Sequence, residues 1–226
     1  MSSPHQQNQN RGAFITLEGM EGSGKSTQGS RLSQMLVDNG YHVLLTREPG
    51  GTPIAEQLRG ILLDRPAEPI APETEVLLIL AARRQHIEQV IRPALEKGTT
   101  VLCDRFSDST LAYQGYGRGL DLSVLRKLNE WATGGLTPDL TLLFDVPVTV
   151  GLTRRQRDTS LLNRLDRETE RFHREVRAGF MRLARREPRR IRIVKATAPP
   201  DTIARVVNDL VLTWLNTRGS KNRKRR

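Results

Sequence analysis

Short apolar runs and longer helical repeats take turns along this chain. The runs 13–18, 41–46, 99–104, 140–145 and 191–195 are rich in Val, Ile, Leu and Phe and too short for helices, so they read as strands. Between them apolar residues recur at helical spacing. Leu32, Met35 and Leu36 mark a helix ending near Asn39-Gly40, and further helices are expected over 53–63, 73–97 and 121–132 and after Pro147. The last helix, capped by Asp201 or Thr202, carries a stripe of Ile203, Val206, Val207, Leu210 and Trp214. The stretch Val76 to Ala82 is apolar all round and should be buried on most sides, and Pro93 should kink the end of its helix. Strands separated by helices predict an α/β fold: a five-stranded parallel sheet with helices on both faces.

The connection after the first strand narrows this class. Gly19-Met20-Glu21-Gly22-Ser23-Gly24-Lys25-Ser26-Thr27 fits G-x-x-x-x-G-K-[ST], between a strand and a helix as the motif requires. Its glycines let backbone N–H groups curl around phosphate oxygens, Lys25 is placed for the β- and γ-phosphates, and Ser26 for Mg²⁺. The fold expected is that of a P-loop NTPase. The third strand ends in Asp104, the second Mg²⁺ candidate, and Cys103 beside it reads as a small buried hydrophobe.

At 226 residues the chain suits one such domain, 13–217, between a polar, disordered segment 1–12 and a basic tail 218–226. One cysteine fits a reducing cytoplasm, and no run is long enough to span a membrane. The net charge is +11, but the last nine residues hold six of those charges, leaving +5 for the body. Nucleic-acid contact by this tail is open, although it lacks the aromatics that base reading uses.

Phosphate-binding candidates sit where the strands end. Arg47 opens the turn Arg47-Glu48-Pro49-Gly50-Gly51-Thr52, and Arg105 follows Asp104, both at the edge where open α/β sheets keep ligands. Arg83 emerges beside Ile79, one turn away, while His86 reads as a surface residue. Thr110 shares a helical face with Tyr113 and with Gln114, and Gly115 to Gly119 reads as a loop. Farther on, Arg164–Glu168 and Glu170–Arg174 are spaced as ordinary helical ion pairs, whereas Arg154, Arg155 and Arg157 lack such partners and precede a loop, 158–162. A GTPase would need N-K-x-D after the fourth strand, and none is present. A small-molecule kinase needs a second anion site facing the phosphate loop, and Arg47 and Arg105 are placed to supply it. Kinases of different nucleoside monophosphates or deoxynucleosides, a nucleotide switch and a nucleic-acid-binding ATPase are the alternatives.

The phosphate loop, Thr46 to Thr52, Ala81-Ala82-Arg83, Asp104-Arg105-Phe106-Ser107-Asp108-Ser109-Thr110-Leu111-Ala112-Tyr113-Gln114-Gly115, Pro138 to Thr141 and Asn163 to Asp166 together resemble the bacterial thymidylate kinases. The resemblance runs from about Phe14 to the last helix. It implies transfer of the ATP γ-phosphoryl to dTMP with Mg²⁺, and a homodimer. It also implies roles: Arg47 and Arg105 for the dTMP phosphate, Arg83 for a thymine carbonyl, and Thr110 and Gln114 near the base's polar edge. Tyr113 would stand against the sugar's 2′ position, Glu21 near its 3′-hydroxyl, and Pro49 would shape the turn. The segment 151–170 resembles the family's lid, so Arg154, Arg157 and Arg164 are candidates for the transferred phosphoryl. Two positions depart from the pattern: Ile79 stands where relatives usually stack an aromatic on thymine, and Phe106 where many carry His or Tyr.

Overall fold

A computed structural model describes residues 11–64, 69–156 and 163–223. Five strands, β1 (Phe14–Glu18), β2 (Val43–Arg47), β3 (Thr100–Asp104), β4 (Leu140–Asp145) and β5 (Ile191–Lys195), form one parallel sheet in the order β2-β3-β1-β4-β5. Every residue of β1 is buried, as expected for a central strand covered on both faces. Its one internal hydroxyl, on Thr16, is satisfied by Thr141 of β4 at 2.7 Å. The register aligns Leu17 and Arg47 with Asp104, so three strands end level at one edge. The chain leaves β1 toward β2 and β3 on one side and reaches β4 on the other, which opens a crevice at this edge.

Helix α1 (Lys25–Asp38) and helix α9 (Pro200–Arg223) cover one face, with Leu32, Leu36, Val207, Val211 and Leu215 in the core. The other face carries α3 (Pro72–His86), α6 (Leu122–Thr133) and α8 (Glu170–Arg186). The remaining α-helices among the described residues are α2 (Pro53–Asp64), α4 (Arg92–Glu96), α5 (Ser107–Thr110) and α7 (Val148–Gln156).

Several local expectations are corrected. The helix expected over 73–97 runs from α3 through a π-helical stretch, Ile87–Ile91, into α4. The wider turns lie just before Pro93, which has no N–H to donate backward. The stretch 76–82, expected to be buried on most sides, buries Val76, Leu80 and Ala82, leaves Leu78 and Ile79 half-buried, and exposes Ala81 and Leu77, the latter by 61%. His86 is fully buried: one ring nitrogen lies 2.7 Å from the Thr46 hydroxyl and the other 3.1 Å from Glu48. The first part of the loop expected at 115–119 is wound into a π-helical stretch, Leu111–Gly117. On α9, Val206 faces outward while Val211 and Leu215 extend the buried stripe. That helix also continues past 218 to Arg223, where a loose tail is expected, and Arg218 ion-pairs with Asp139. Residues 1–10 and 158–162, expected to be a loose terminus and a loop, lie outside the described residues.

Candidate active site

The phosphate loop owes its path to three left-handed glycines, Gly19 (φ 140°), Gly22 (φ 70°) and Gly24 (φ 84°). At Gly22 a side chain is impossible for a second reason: a Cβ there would stand 2.1 Å from the Gly151 carbonyl oxygen on α7. Helix α1 then begins at Lys25 with no side-chain cap and no acid in its first turn. Its first N–H groups are therefore available to an anion, with the positive end of the helix dipole behind them. Lys25 is almost buried and donates to the Met20 carbonyl at 3.2 Å. Burial, and Arg105 nearby, lower its pKa.

Ser26 Oγ donates to Asp104 Oδ2 at 2.5 Å. The other carboxylate oxygen, Asp104 Oδ1, is buried without a hydrogen-bond partner. A carboxylate and a hydroxyl side by side, with one lone-pair site unspent, are the oxygen donors a hard divalent cation takes.

Across the crevice stands Arg105, held at φ 72°, the one non-glycine in the left-handed region among the described residues. Strain of that kind persists only where surroundings over-determine it. Here Arg105 N–H donates to Leu17 O at 2.9 Å, and the next two turns are gripped by Glu18. Its carboxylate accepts from Phe106 N at 2.8 Å, Ser109 N at 3.3 Å and Ser109 Oγ at 2.5 Å. Phe106 is buried edge-to-face on Phe14, so its loss of polarity relative to His or Tyr is absorbed by core packing. Burial and Asp108 push the Glu18 carboxyl up to about 7.

The Arg105 guanidinium donates to Glu21 at 2.8 Å, Tyr113 OH at 3.1 Å and Ser109 Oγ at 3.1 Å. Burial alone would raise the Glu21 carboxyl, but Arg105 and Lys25 hold it below the usual carboxylate range. Arg47 forks onto Glu56 with contacts of 2.8 and 3.1 Å. Arg59, from α2, donates to the Pro49 carbonyl at 2.9 Å, and burial together with Arg47 lowers its pKa. Lys25, Arg47, Arg59, Asp104, Arg105 and Arg154 line one cleft of about 570 Å³. Cations crowded in this way create a strong positive potential, which an anionic ligand relieves.

A narrow cavity adjoins that cleft, walled by Ile79, Arg83, Thr110, Tyr113 and Gln114, with Pro49 and Leu165 at its edge. Arg83 is 2% exposed. Its Nε donates to Glu48 at 2.7 Å, and its Nη1 to Thr110 at 2.9 Å and Asn129 at 2.6 Å. The ring of Phe106 lies beneath the guanidinium, 5.2 Å away.

The crevice thus gathers the residues singled out from the phosphate loop, from both strand ends and from the 79–114 region. The arginines expected in the lid separate. Arg154 lines the cleft and donates to the Ala196 carbonyl at 2.9 Å. Arg155, expected to be unpartnered, forks onto Asp166 at 2.8–2.9 Å. Arg164 pairs with Glu75 of α3 rather than with Glu168, which instead takes Arg118 at 2.6 Å. Glu170–Arg174 forms as spaced, and Arg157 lies outside the described residues. Sequence reasoning missed Glu18, Glu48, Arg59 and Glu75. Glu18 could have been suspected as the acid that closes an apolar strand, and Glu75 as the acid that borders the apolar run from Val76; Arg59 left no signal.

A family model described as thymidylate kinase matches residues 17–207. The chain belongs to the thymidylate kinase family. The thymidylate kinase of Thermomicrobium roseum is 56% identical over 194 residues, covering 86% of this chain and 91% of its own. That of Desulfovibrio desulfuricans is 50% identical over 212 residues, covering 91% and 98%. A crystal structure of thymidylate kinase from Ehrlichia chaffeensis matches with TM-score 0.73 at 32% identity, over 89% of this chain and 99% of that one. The family model's match runs from the phosphate loop through the arginine-lined wall.

Proposed function

We infer that this crevice transfers the γ-phosphoryl of ATP to dTMP, giving dTDP and ADP for dTTP synthesis. One observation carries the reading: a phosphate loop and a second cationic wall built on Arg47, Arg59 and Arg105 face each other across a single cleft. The attacking group is a phosphate oxygen of the acceptor, already ionised near neutral pH because the second pKa of a phosphate monoester is about 6. No general base is needed. The site's task is to bring two anions together, in line, and to hold the charge that spreads over the transferred group.

Lys25 and the loop amides hold the donor phosphates, and Arg47 and Arg105 fork onto the acceptor phosphate. Arg83, Thr110 and Gln114 face the base, Ile79 packs on it, and Tyr113 with Glu21 bounds the sugar. Ser26 and Asp104 would hold Mg²⁺; the orphaned Asp104 oxygen fits that role. When bound, the ion neutralises charge on the donor phosphates. Arg154 is the lid arginine assigned to the transferred phosphoryl, because it already lines the cleft. The catalytic domain is taken as 13–217 with 151–170 as its lid, whose closure excludes water and so limits ATP hydrolysis.

The active form is a homodimer. Helices α2, α3 and α6 pack side by side and leave Ile54, Ile61, Leu77, Val124 and Trp131 exposed, an apolar surface of the kind that subunits cover. A cytoplasmic setting agrees with the single, buried Cys103 and with the absence, among the described residues, of any helix long and apolar enough to cross a membrane.

The test uses γ-labelled ATP with Mg²⁺ and dTMP, and chromatography of the product. Label should move into dTDP, and Arg105→Ala should lower kcat/KM about a thousandfold, roughly 4 kcal/mol of transition-state stabilisation. Transfer unaffected by this substitution would remove Arg105 from the site.

A further inference from the structure

The narrow cavity rests on an acid that no expectation included. Glu75, on α3, is 1% exposed, and its two oxygens face different neighbours. Oε1 accepts from Gln114 Nε2 at 2.6 Å. Oε2 accepts from Arg118 at 3.3 Å and from Arg164. Burial alone would raise this carboxyl, but the hydrogen bonds from Arg164 and Gln114 and the charge of Arg118 hold it below the usual range. It is an anion, and a carboxylate anion can only accept.

That restriction fixes the direction of the Gln114 amide. With its NH₂ turned to Glu75, the amide keeps its carbonyl oxygen, an acceptor, for the cavity it lines. Arg83 supplies the complement. Nε and Nη1 are taken by Glu48, Thr110 and Asn129, which leaves Nη2 as an unspent donor in the same wall. A donor beside an acceptor matches the edge of an imide base, with its carbonyl and its ring N–H. A cytosine-type base seated in the same pose would set its exocyclic amine against the Arg83 donor and its ring acceptor against the Gln114 acceptor.

We propose that Glu75 is a positioning residue for base specificity: it locks the Gln114 amide so that an acceptor faces the base, and thereby favours imide over cytosine-type acceptors. The proposal rests on the dTMP reading above. Because Arg164 shares the same carboxylate, the base site and the lid-side segment are also tied to one anchor.

Glu75→Gln tests this at constant shape. Arg118 and Arg164 can only donate, so they draw the new side chain's oxygen toward themselves and turn its NH₂ to Gln114, which must flip to accept. KM for dTMP should rise about tenfold or more, and the dTMP/dCMP ratio of kcat/KM should fall by a similar factor. The KM for ATP and the kcat at saturating dTMP should hold within about twofold. A merely structural role would instead lower every acceptor's rate together and leave the ratio unchanged.

The exchange E75Q/Q114E reverses the pair, with the donor at 75 and the acceptor at 114, but a carboxylate at 114 keeps its second oxygen as an acceptor toward the base, so the ratio should recover. If E75Q does not fold, Q114E alone against the exchange gives the same reading: two opposed carboxylates should raise the dTMP KM about tenfold, and adding E75Q should reverse it. A wild-type preference for dTMP with an unchanged ratio in E75Q, or an exchange that recovers nothing, overturns the proposal alone. A wild-type preference for dCMP overturns the dTMP reading and this proposal with it.

Discussion

Glu18 ends the central strand with an acid that never meets solvent, and its cost depends on pH. Its carboxyl sits at about 7 in the fold against an ordinary 4.5, raised by burial and by Asp108. A raised acid contributes stability in full below the unfolded value and loses it as pH climbs through the folded one. Glu18→Gln should therefore match the parent near pH 4 and become the more stable protein by roughly 3 kcal/mol above pH 7. Denaturant melts at the two pH values check this; a difference independent of pH would contradict it. The same residue shows what a sequence conceals. The phosphate-loop residues are read directly because their chemistry requires those residue types at fixed spacing. Glu18 matters only through Phe106 and Ser109, which lie far along the chain and are brought near by the pairing of β1 with β3. His86 reads as a surface residue for a similar reason: its partners Thr46 and Glu48 come from β2 and the turn that follows it.

At the scale of elements, the phosphate loop and α7 meet backbone to backbone. Gly22 and Gly151 are in contact, whereas a Cβ on Gly24 would meet nothing within 4 Å. Gly24→Ala should therefore cost only the left-handed backbone, about 1–2 kcal/mol, or roughly 3–6 °C in Tm without nucleotide. Gly22→Ala carries the same backbone cost plus a collision with the Gly151 carbonyl, and should lower Tm clearly further. Equal shifts in calorimetry would show that the loop and α7 do not touch as described. Strands were legible almost to the residue, since a parallel sheet covered on both faces writes itself as apolar runs. Helix faces were less so. The outward turn of Leu77 and Val206 depends on which neighbour packs where, and the π-helical stretches have no periodic signature.

For the whole molecule, the exposed apolar side chains of α2, α3 and α6 lead to a prediction about assembly. A charged residue at the centre of a buried contact is expensive, so Leu77→Glu combined with Trp131→Glu should convert a dimer to a monomer in sedimentation velocity. A parent chain that already sediments as a monomer at micromolar concentration would contradict the proposed assembly. The basic end needs no such partner to be ordered as far as Arg218, whose pairing with Asp139 ties the last helix to the start of β4.

The central claim is that one crevice sets an ATP phosphate against the phosphate of dTMP in preference to acceptors that carry a cytosine, guanine or adenine base. A single competition measures it: the intact chain with Mg²⁺, limiting ATP and equimolar dTMP, dUMP, dCMP, dGMP and dAMP, the diphosphates being separated and quantified at low conversion. The account predicts dTDP as the dominant product, with dCDP, dGDP and dADP near background. A different dominant diphosphate, or ADP formed with no acceptor phosphorylated, would contradict it.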